Sequence, residues 1–278
     1  MAKKNKILFI NQEITPYVAD TEMSAIGRNL PQAIQEKGRE IRTFMPKWGT
    51  INERRNQLHE VIRLSGMNLI IDDTDHPLII KVASIQSARM QVYFIDNDDY
   101  FQNRLEAKDE NGEEYEDNDA RIIFYARGVL ETVKKLRWTA GIVHLHGWIS
   151  VLAPLYIKKA YKDEPSFRES KVIFSLYEDE ITQPFQADFA TKLMLKGIAK
   201  KDIASLKNPV NYVTLSKLAI DFSDGIIQMS ENPNPELLEY AKASGKPFLP
   251  YQASDTFYDA INDFYKIVGE ENDDEEEE

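Results

Sequence analysis

Six short apolar runs, separated by stretches of helical spacing, constrain this chain more than any other feature. They are KILFI (6–10), EIRTFMP (40–46), IVHLHG (142–147), KVIFSLY (171–177), DGIIQMS (224–230) and KPFLP (246–250). Strands joined through helices imply right-handed βαβ units and a parallel sheet. The segment AIGRNLPQAIQEKG (25–38) reads as an amphipathic helix stopped by Gly38, and Pro46 closes the second strand. Residues 58–96 differ, because strand-like runs joined by short polar turns suggest antiparallel hairpins inserted at one edge. A long helix is expected at about 117–137, with Ile122, Ala126, Val129, Val133 and Leu136 on one face. A last helix, 255–268, offers Phe257, Ile261, Phe264 and Tyr265 for packing. Between 102 and 116 lies a charged stretch, NRLEAKDENGEEYE, expected to be a mobile loop. With no repeat and no linker, the expectation is one α/β domain over 1–268. It is a Rossmann-like parallel sheet flanked by helices, with a β-hairpin insertion, and an acidic tail (269–278) is expected to be disordered.

Composition narrows the function classes. At 278 residues, 42% of them hydrophobic, the chain is long enough to bury a sizeable core. No run approaches the ~18 apolar residues of a membrane span, so no membrane is expected. The start, MAKKNKILFI, is too quickly polar for a secretory signal. Cysteine is absent, which excludes disulfides and thiolate chemistry, and a cytoplasmic location fits best. The net charge of −12 is concentrated at the end, where residues 270–278 carry eight carboxylates and leave −4 on the rest. No basic stripe is present to release counterions from phosphates, so no nucleic acid is expected. The tail reads as a solubility device.

Ligands of open α/β sheets sit at the carboxyl ends of the strands, beside the switch in strand order. The loop after the first strand matters most there. A phosphate-binding version uses glycines so that backbone N–H groups approach an anion resting on the positive helix N-terminus. ADTEMS (19–24) has no glycine and offers Asp20 and Glu22, which can cap the helix themselves. A phosphate beside either acid would meet repulsion of ~1–4 kcal/mol, which a single flexible Lys47 offsets only in part.

Other candidates carry two readings each. His144 and His146 point to the same side of a strand, which is compatible with metal binding, but only His59 and His76 remain as histidines. A satisfied, partly buried pair is expected, with no metal. Tyr17, Trp48, Trp148 and Tyr177 either form an aromatic platform for a ligand ring or fill space inside the fold. Glu13 and Asp117 are acid or base candidates, although carboxylates at cleft edges are more often caps or solvated groups. No Gly-x-Ser-x-Gly elbow occurs. No catalytic residue is assigned.

Six blocks in order carry a family resemblance: INQEITPYVADTEMSAIGRNLPQAI, RTFMPKWGTI, FIDNDDYFQNR, EDNDARIIFYARGVLE, VHLHGWISVLAP and KLAIDFSDGIIQMS. Over roughly 220 of the 278 residues the chain resembles the N-terminal half of bacterial glycogen and starch synthases. These are retaining glucosyltransferases of the GT-B fold that extend α-1,4-glucans from ADP-glucose. The resemblance implies a single N-terminal half of that fold. Glu13, Pro16, Leu30, Pro31, Pro46, Lys47, Asp117, Asn118, Arg121, His144, His146, Trp148, Pro154, Lys217 and Asp224 match the family's motifs.

The departures are informative. The family's Lys-Thr-Gly-Gly-Leu loop falls on Ala19, Asp20, Thr21, Glu22 and Met23. Its His-Asp-Trp-His motif falls on His146, Gly147, Trp148 and Ile149, and its Thr-(Ile/Val)-His-Asn motif on Ser175, Leu176, Tyr177 and Glu178. The family's C-terminal domain is not among these 278 residues. The resemblance therefore implies a glycogen/starch synthase-like protein, degenerate at the donor positions Ala19, Thr21, Glu22, Gly147 and Ile149, without a cofactor. Glu13, Tyr17, Lys47, Trp48, Asp117, His146, Trp148 and Tyr177 are its candidate cleft residues for an α-glucan or maltooligosaccharide. Two alternatives stand beside it: an active transferase, completed where needed by a second chain, and a scaffold that binds another polysaccharide-metabolism protein.

Overall fold

The computed structural model describes residues 5–178, 181–253 and 256–270. Its first half runs β1 (Lys6–Asn11), α1 (Glu22–Glu36), β2 (Glu40–Pro46), β3 (His59–Glu60), β4 (Met67–Ile71), β5 (Thr74–Ile85), β6 (Met90–Asp96), α2 (Asp98–Phe101) and α3 (Asn118–Lys135). Its second half runs β7 (Ile142–His146), α4 (Ala153–Leu155), β8 (Lys171–Leu176), α5 (Phe189–Lys192), α6 (Tyr212–Asp221), β9 (Gly225–Gln228), α7 (Pro235–Ala243), β10 (Phe248–Leu249) and α8 (Phe257–Glu270).

The strand order is β10-β9-β8-β7-β1-β2-β6-β5-β3, with β4 paired on β5. From β10 through β6 every pairing is parallel. The expected α/β architecture is what forms, and its hairpin edge is antiparallel: β5 pairs β6, β3 and β4. One detail differs from expectation. β6, the last run of the inserted segment, is also the third parallel strand of the first half, Thr43 lying opposite Val92. The insertion thus grows out of the main sheet rather than sitting apart from it. Central strands are covered on both faces, which is why residues 7–10 of β1 are wholly buried.

The helices fit their signals with small shifts. α1 begins three residues before the expected start. Its cap is Thr21, neither Asp20 nor Glu22: Ser24 N donates to Thr21 Oγ1 at 3.0 Å, and Thr21 N donates to Ser24 Oγ at 2.8 Å. Gly38 follows in the left-handed region, at φ 88°. α8 packs through Ile261, Phe264 and Tyr265, all buried, while Phe257 is only half-buried. It runs past the expected boundary at 268 to Glu270, and residues 271–278 of the acidic tail lie outside the described residues.

The stretch 102–116 is tied down rather than hanging free. Arg121, fully buried on α3, donates to the carbonyls of Leu105 (3.0 Å) and Glu106 and to Asn118 Oδ1 (2.8 Å). Its guanidinium also lies 5.1 Å from the ring centres of Trp48 and Tyr115. Burial pulls its pKa down to about 9, so it remains charged at neutral pH. At the far side of the loop, Glu114 accepts from Thr182 N, Thr182 Oγ1 and Gln183 N.

Candidate functional site

The strand order reverses between β1 and β7, so the loops leaving these two strands flank the switch point. The ladder continues beyond the strands there, Gln12 N donating to His146 O at 2.9 Å. A shallow depression of about 240 Å³ lies beside it, lined by Glu13, Thr21, Glu22, Tyr177, Glu178 and Ser230 among others.

The start of α1, where a phosphate would rest in a glycine-rich loop, is closed by its own side chains. Thr21 Oγ1 accepts from Ser24 N and donates to Glu13 Oε2 at 2.5 Å. Ser24 Oγ donates in turn to Ala19 O at 2.9 Å. Glu13 is nearly buried, and Gln12 Nε2 donates to its Oε1 at 3.0 Å. Glu22, exposed in the first helical turn, accepts from Ser230 Oγ at 3.4 Å. Two carboxylates thus flank the positive helix end, and a hydroxyl already answers one of its N–H groups. Lys47 is paired elsewhere. It is buried and lies 3.1 Å from Glu53, which also holds Lys81 at 2.7 Å.

The second departure is equally closed. Gly147 adopts φ 86°, and a Cβ placed there would lie 2.3 Å from Gln12 Oε1. Gln12 occupies the space an aspartate would need, its Oε1 accepting from Trp148 N at 2.9 Å. Ile149 beside it is fully buried.

The histidine pair is not partly buried, as expected, but wholly so, because β7 is central and covered by α8. Their ring centres lie 4.0 Å apart. His144 is fully engaged, Nδ1 with the Tyr265 hydroxyl at 2.6 Å and Nε2 with Ser175 Oγ at 2.8 Å. His146 Nδ1 meets the Tyr177 hydroxyl at 2.7 Å, whereas its Nε2 has no partner. Neither has the side-chain amide of Asn11, opposite His146 in the register. Burial depresses the pKa of His144 well below the usual imidazole value, with His146 adding to it, and depresses that of His146 to about 3. Both are neutral at physiological pH. Burial also raises the Tyr177 hydroxyl, with Glu22 and Glu13 reinforcing it. Among the described residues, no group of three or more His, Cys, Asp or Glu could hold a metal ion.

The four aromatic candidates are not an open platform. Trp48 and Trp148 are fully buried, with ring centres 6.1 Å apart, and Trp48 Nε1 donates to Gln12 O at 2.8 Å. Tyr17 packs edge-on against Phe94 at 4.9 Å, and burial pushes its pKa up to about 12. Only the nearly buried Tyr177 reaches the depression. Asp117 neither caps α3 through its side chain nor stands free, because Arg104 grips both carboxylate oxygens, at 2.7 and 2.5 Å.

The residues that organise this site were only partly visible in the sequence. The Thr21-x-x-Ser24 spacing is a near-variant of the capping box and was a usable signal. Gln12, which joins Trp148 N to Glu13, had none.

Residues 6–246 match the family model described as the starch synthase catalytic domain. Glycogen synthase from Pelodictyon phaeoclathratiforme is 36% identical over 179 residues, which is 64% of this chain and 37% of that protein. Glycogen synthase from Chlorobaculum tepidum is 31% identical over 241 residues, 86% of this chain and 49% of that one. In these alignments the chain spans half or less of the curated relatives' length. The fold is similar to that of the catalytic domain of starch synthase IV from Arabidopsis thaliana bound to ADP and acarbose. The TM-score is 0.70 at 17% identity, covering 90% of this chain and 52% of that one.

Proposed function

Because this chain belongs to the starch synthase catalytic domain family, we propose that it serves α-1,4-glucan metabolism as a glucan-binding member that does not itself transfer glucose from ADP-glucose. One observation carries this reading. The start of α1 is closed by the Thr21–Ser24 box and flanked by Glu13 and Glu22. A diphosphate seated there would have to displace a formed cap, at ~1 kcal/mol, and sit beside carboxylates that repel it. The Gly147–Gln12 contact supports the same reading, since it leaves no room for a functional aspartate. Retention of the fold over most of the chain supports a role for the glucan side of the site. The reading is set in the cytoplasm, and among the described residues no helix is long and apolar enough to cross a membrane.

The test is a transfer assay with ADP-glucose and glycogen, read as incorporation of labelled glucose. Incorporation at the buffer level is expected. Turnover that rises in proportion to protein would favour an active transferase instead.

A further inference from the structure

Residues 192–207, KLMLKGIAKKDIASLK, run against the charge of the rest of the chain. In a protein of net charge −12, this stretch holds five lysines and one aspartate. Lys192 is paired inward, 3.5 Å from Asp119 and 3.0 Å from Asp188. Asp202 is likewise occupied, its Oδ2 accepting from Ala199 N at 2.8 Å and its Oδ1 lying 3.0 Å from Lys159 Nζ. The other four, Lys196, Lys200, Lys201 and Lys207, are exposed, and none has an ion pair or side-chain hydrogen bond among the described residues.

The stretch presents these cations from a fixed backbone. Leu193, Ile198 and Leu206 are buried beneath it, and Tyr156 Oη donates to Leu193 O at 2.8 Å. Gly197, at φ 101°, lets the chain pass so close to its neighbour that a Cβ there would lie 2.6 Å from Lys159 O. Leu206 N donates to Ile203 O and Asn208 Nδ2 to Ala187 O, each at 2.9 Å. Like charges gathered on one short stretch repel one another, and a polyanion relieves that repulsion.

The residue types point to the kind of anion. Residues 192–207 contain neither arginine nor an aromatic ring, so they lack the planar forks and stacking faces that suit nucleic acid. Compact ammonium groups on flexible stems suit carboxylates spread along a peptide. The same chain holds such a peptide, since residues 271–278 carry seven carboxylates and no cation. The end of α8 leads towards the lysines. Val268 packs against Gly225, where a Cβ would come within 2.9 Å of its Cγ2. Beside Gly225, Asp224 holds Lys158 at 2.6 Å, and the adjacent Lys159 holds Asp202. Two neighbouring lysine side chains thus bridge the end of α8 and the lysine stretch, whereas eight extended residues reach as far as roughly 27 Å.

We infer that Lys196, Lys200, Lys201 and Lys207 form a docking face for the acidic run 271–278 of the same chain, joined by ammonium–carboxylate pairs. The acidic run then shields the cationic face from other polyanions, a role beyond solubility and independent of glucan binding.

Zero-length cross-linking of the full chain with a water-soluble carbodiimide tests it, because an amide forms only where a carboxylate meets an amine. At low salt, peptide mapping is expected to join 271–278 to one or more of the four lysines within a single chain. About 1 M salt should cut that yield about fivefold or more. The variant Lys196→Gln/Lys200→Gln/Lys201→Gln/Lys207→Gln alters exposed side chains alone. A glutamate-specific protease should cut within its residues 271–278 about fivefold or more faster than in the unaltered chain at low salt. Equal cutting rates overturn the inference, as does an acidic run that cross-links to other lysines only or to none. Cross-links found only in species of twice the mass also overturn it, and assign the face to a second copy of the chain.

Discussion

Gly147 concentrates the proposed absence of transfer chemistry in one residue. Its φ of 86° is one that L side chains rarely adopt, and Gln12 fills the space beside it. Restoring an acid is therefore a structural as well as a chemical change. Gly147→Asp is expected to destabilise the fold by about 3 kcal/mol, combining backbone strain with displacement of Gln12. Equilibrium urea unfolding checks this, and a change within about 0.5 kcal/mol would mean that backbone and Gln12 move aside freely. That a glycine stands where the resemblance implies an acid was legible in the sequence. That the glycine is locked in place was not, because nothing in the local sequence reports the partner at residue 12 or the backbone angle.

At the scale of elements, α3 and the stretch 102–116 form one unit through Arg121. Its buried guanidinium answers the carbonyls of the half-buried Leu105 and Glu106. Arg121→Met keeps much of the bulk but leaves those carbonyls unpaired, and is expected to destabilise by about 3 kcal/mol. Limited proteolysis should then cut within 102–116 well before the unaltered protein is cut. Equal cutting rates would show that Glu114 and its contacts to residues 182 and 183 hold the loop alone. The sequence shows only many charges here and so reads as a solvated loop. A long-range clamp from a helix to carbonyls 15 and 16 residues away has no local pattern to betray it. Strands and long helices were legible because apolar period and end signals act over a few residues. The cap of α1 was misassigned because acids and hydroxyls at adjacent positions compete for the same N–H groups.

Across the whole molecule, the parallel order and hairpin edge follow from alternation and handedness, and both were readable. The depth at which β7 lies was less so, and it sets how stability depends on pH. His144 and His146 are held neutral by burial, with folded pKa values below the unfolded value of about 6.5. Their contribution is therefore complete above pH ~6.5 and is lost as pH falls, His146 reaching its folded value only near about 3. Each proton taken up on unfolding adds a slope of about 1.4 kcal/mol per pH unit, so stability is expected to fall between pH 6 and 4.5, His146 supplying one such proton across that range. Urea titrations across that range check it, and replacing both histidines by Gln should flatten the curve. An unaltered slope in the double variant would assign the acid sensitivity to carboxylates.

The central claim is that the positive end of α1 is already answered from within. Calorimetric titration of ADP-glucose into the full chain tests this most directly. The account predicts no saturable heat at millimolar nucleotide sugar, and no rise in unfolding temperature where a ligand at 100 times its dissociation constant would add ~2.7 kcal/mol. Saturable binding at micromolar concentration, abolished by a bulky residue at position 21, would contradict it.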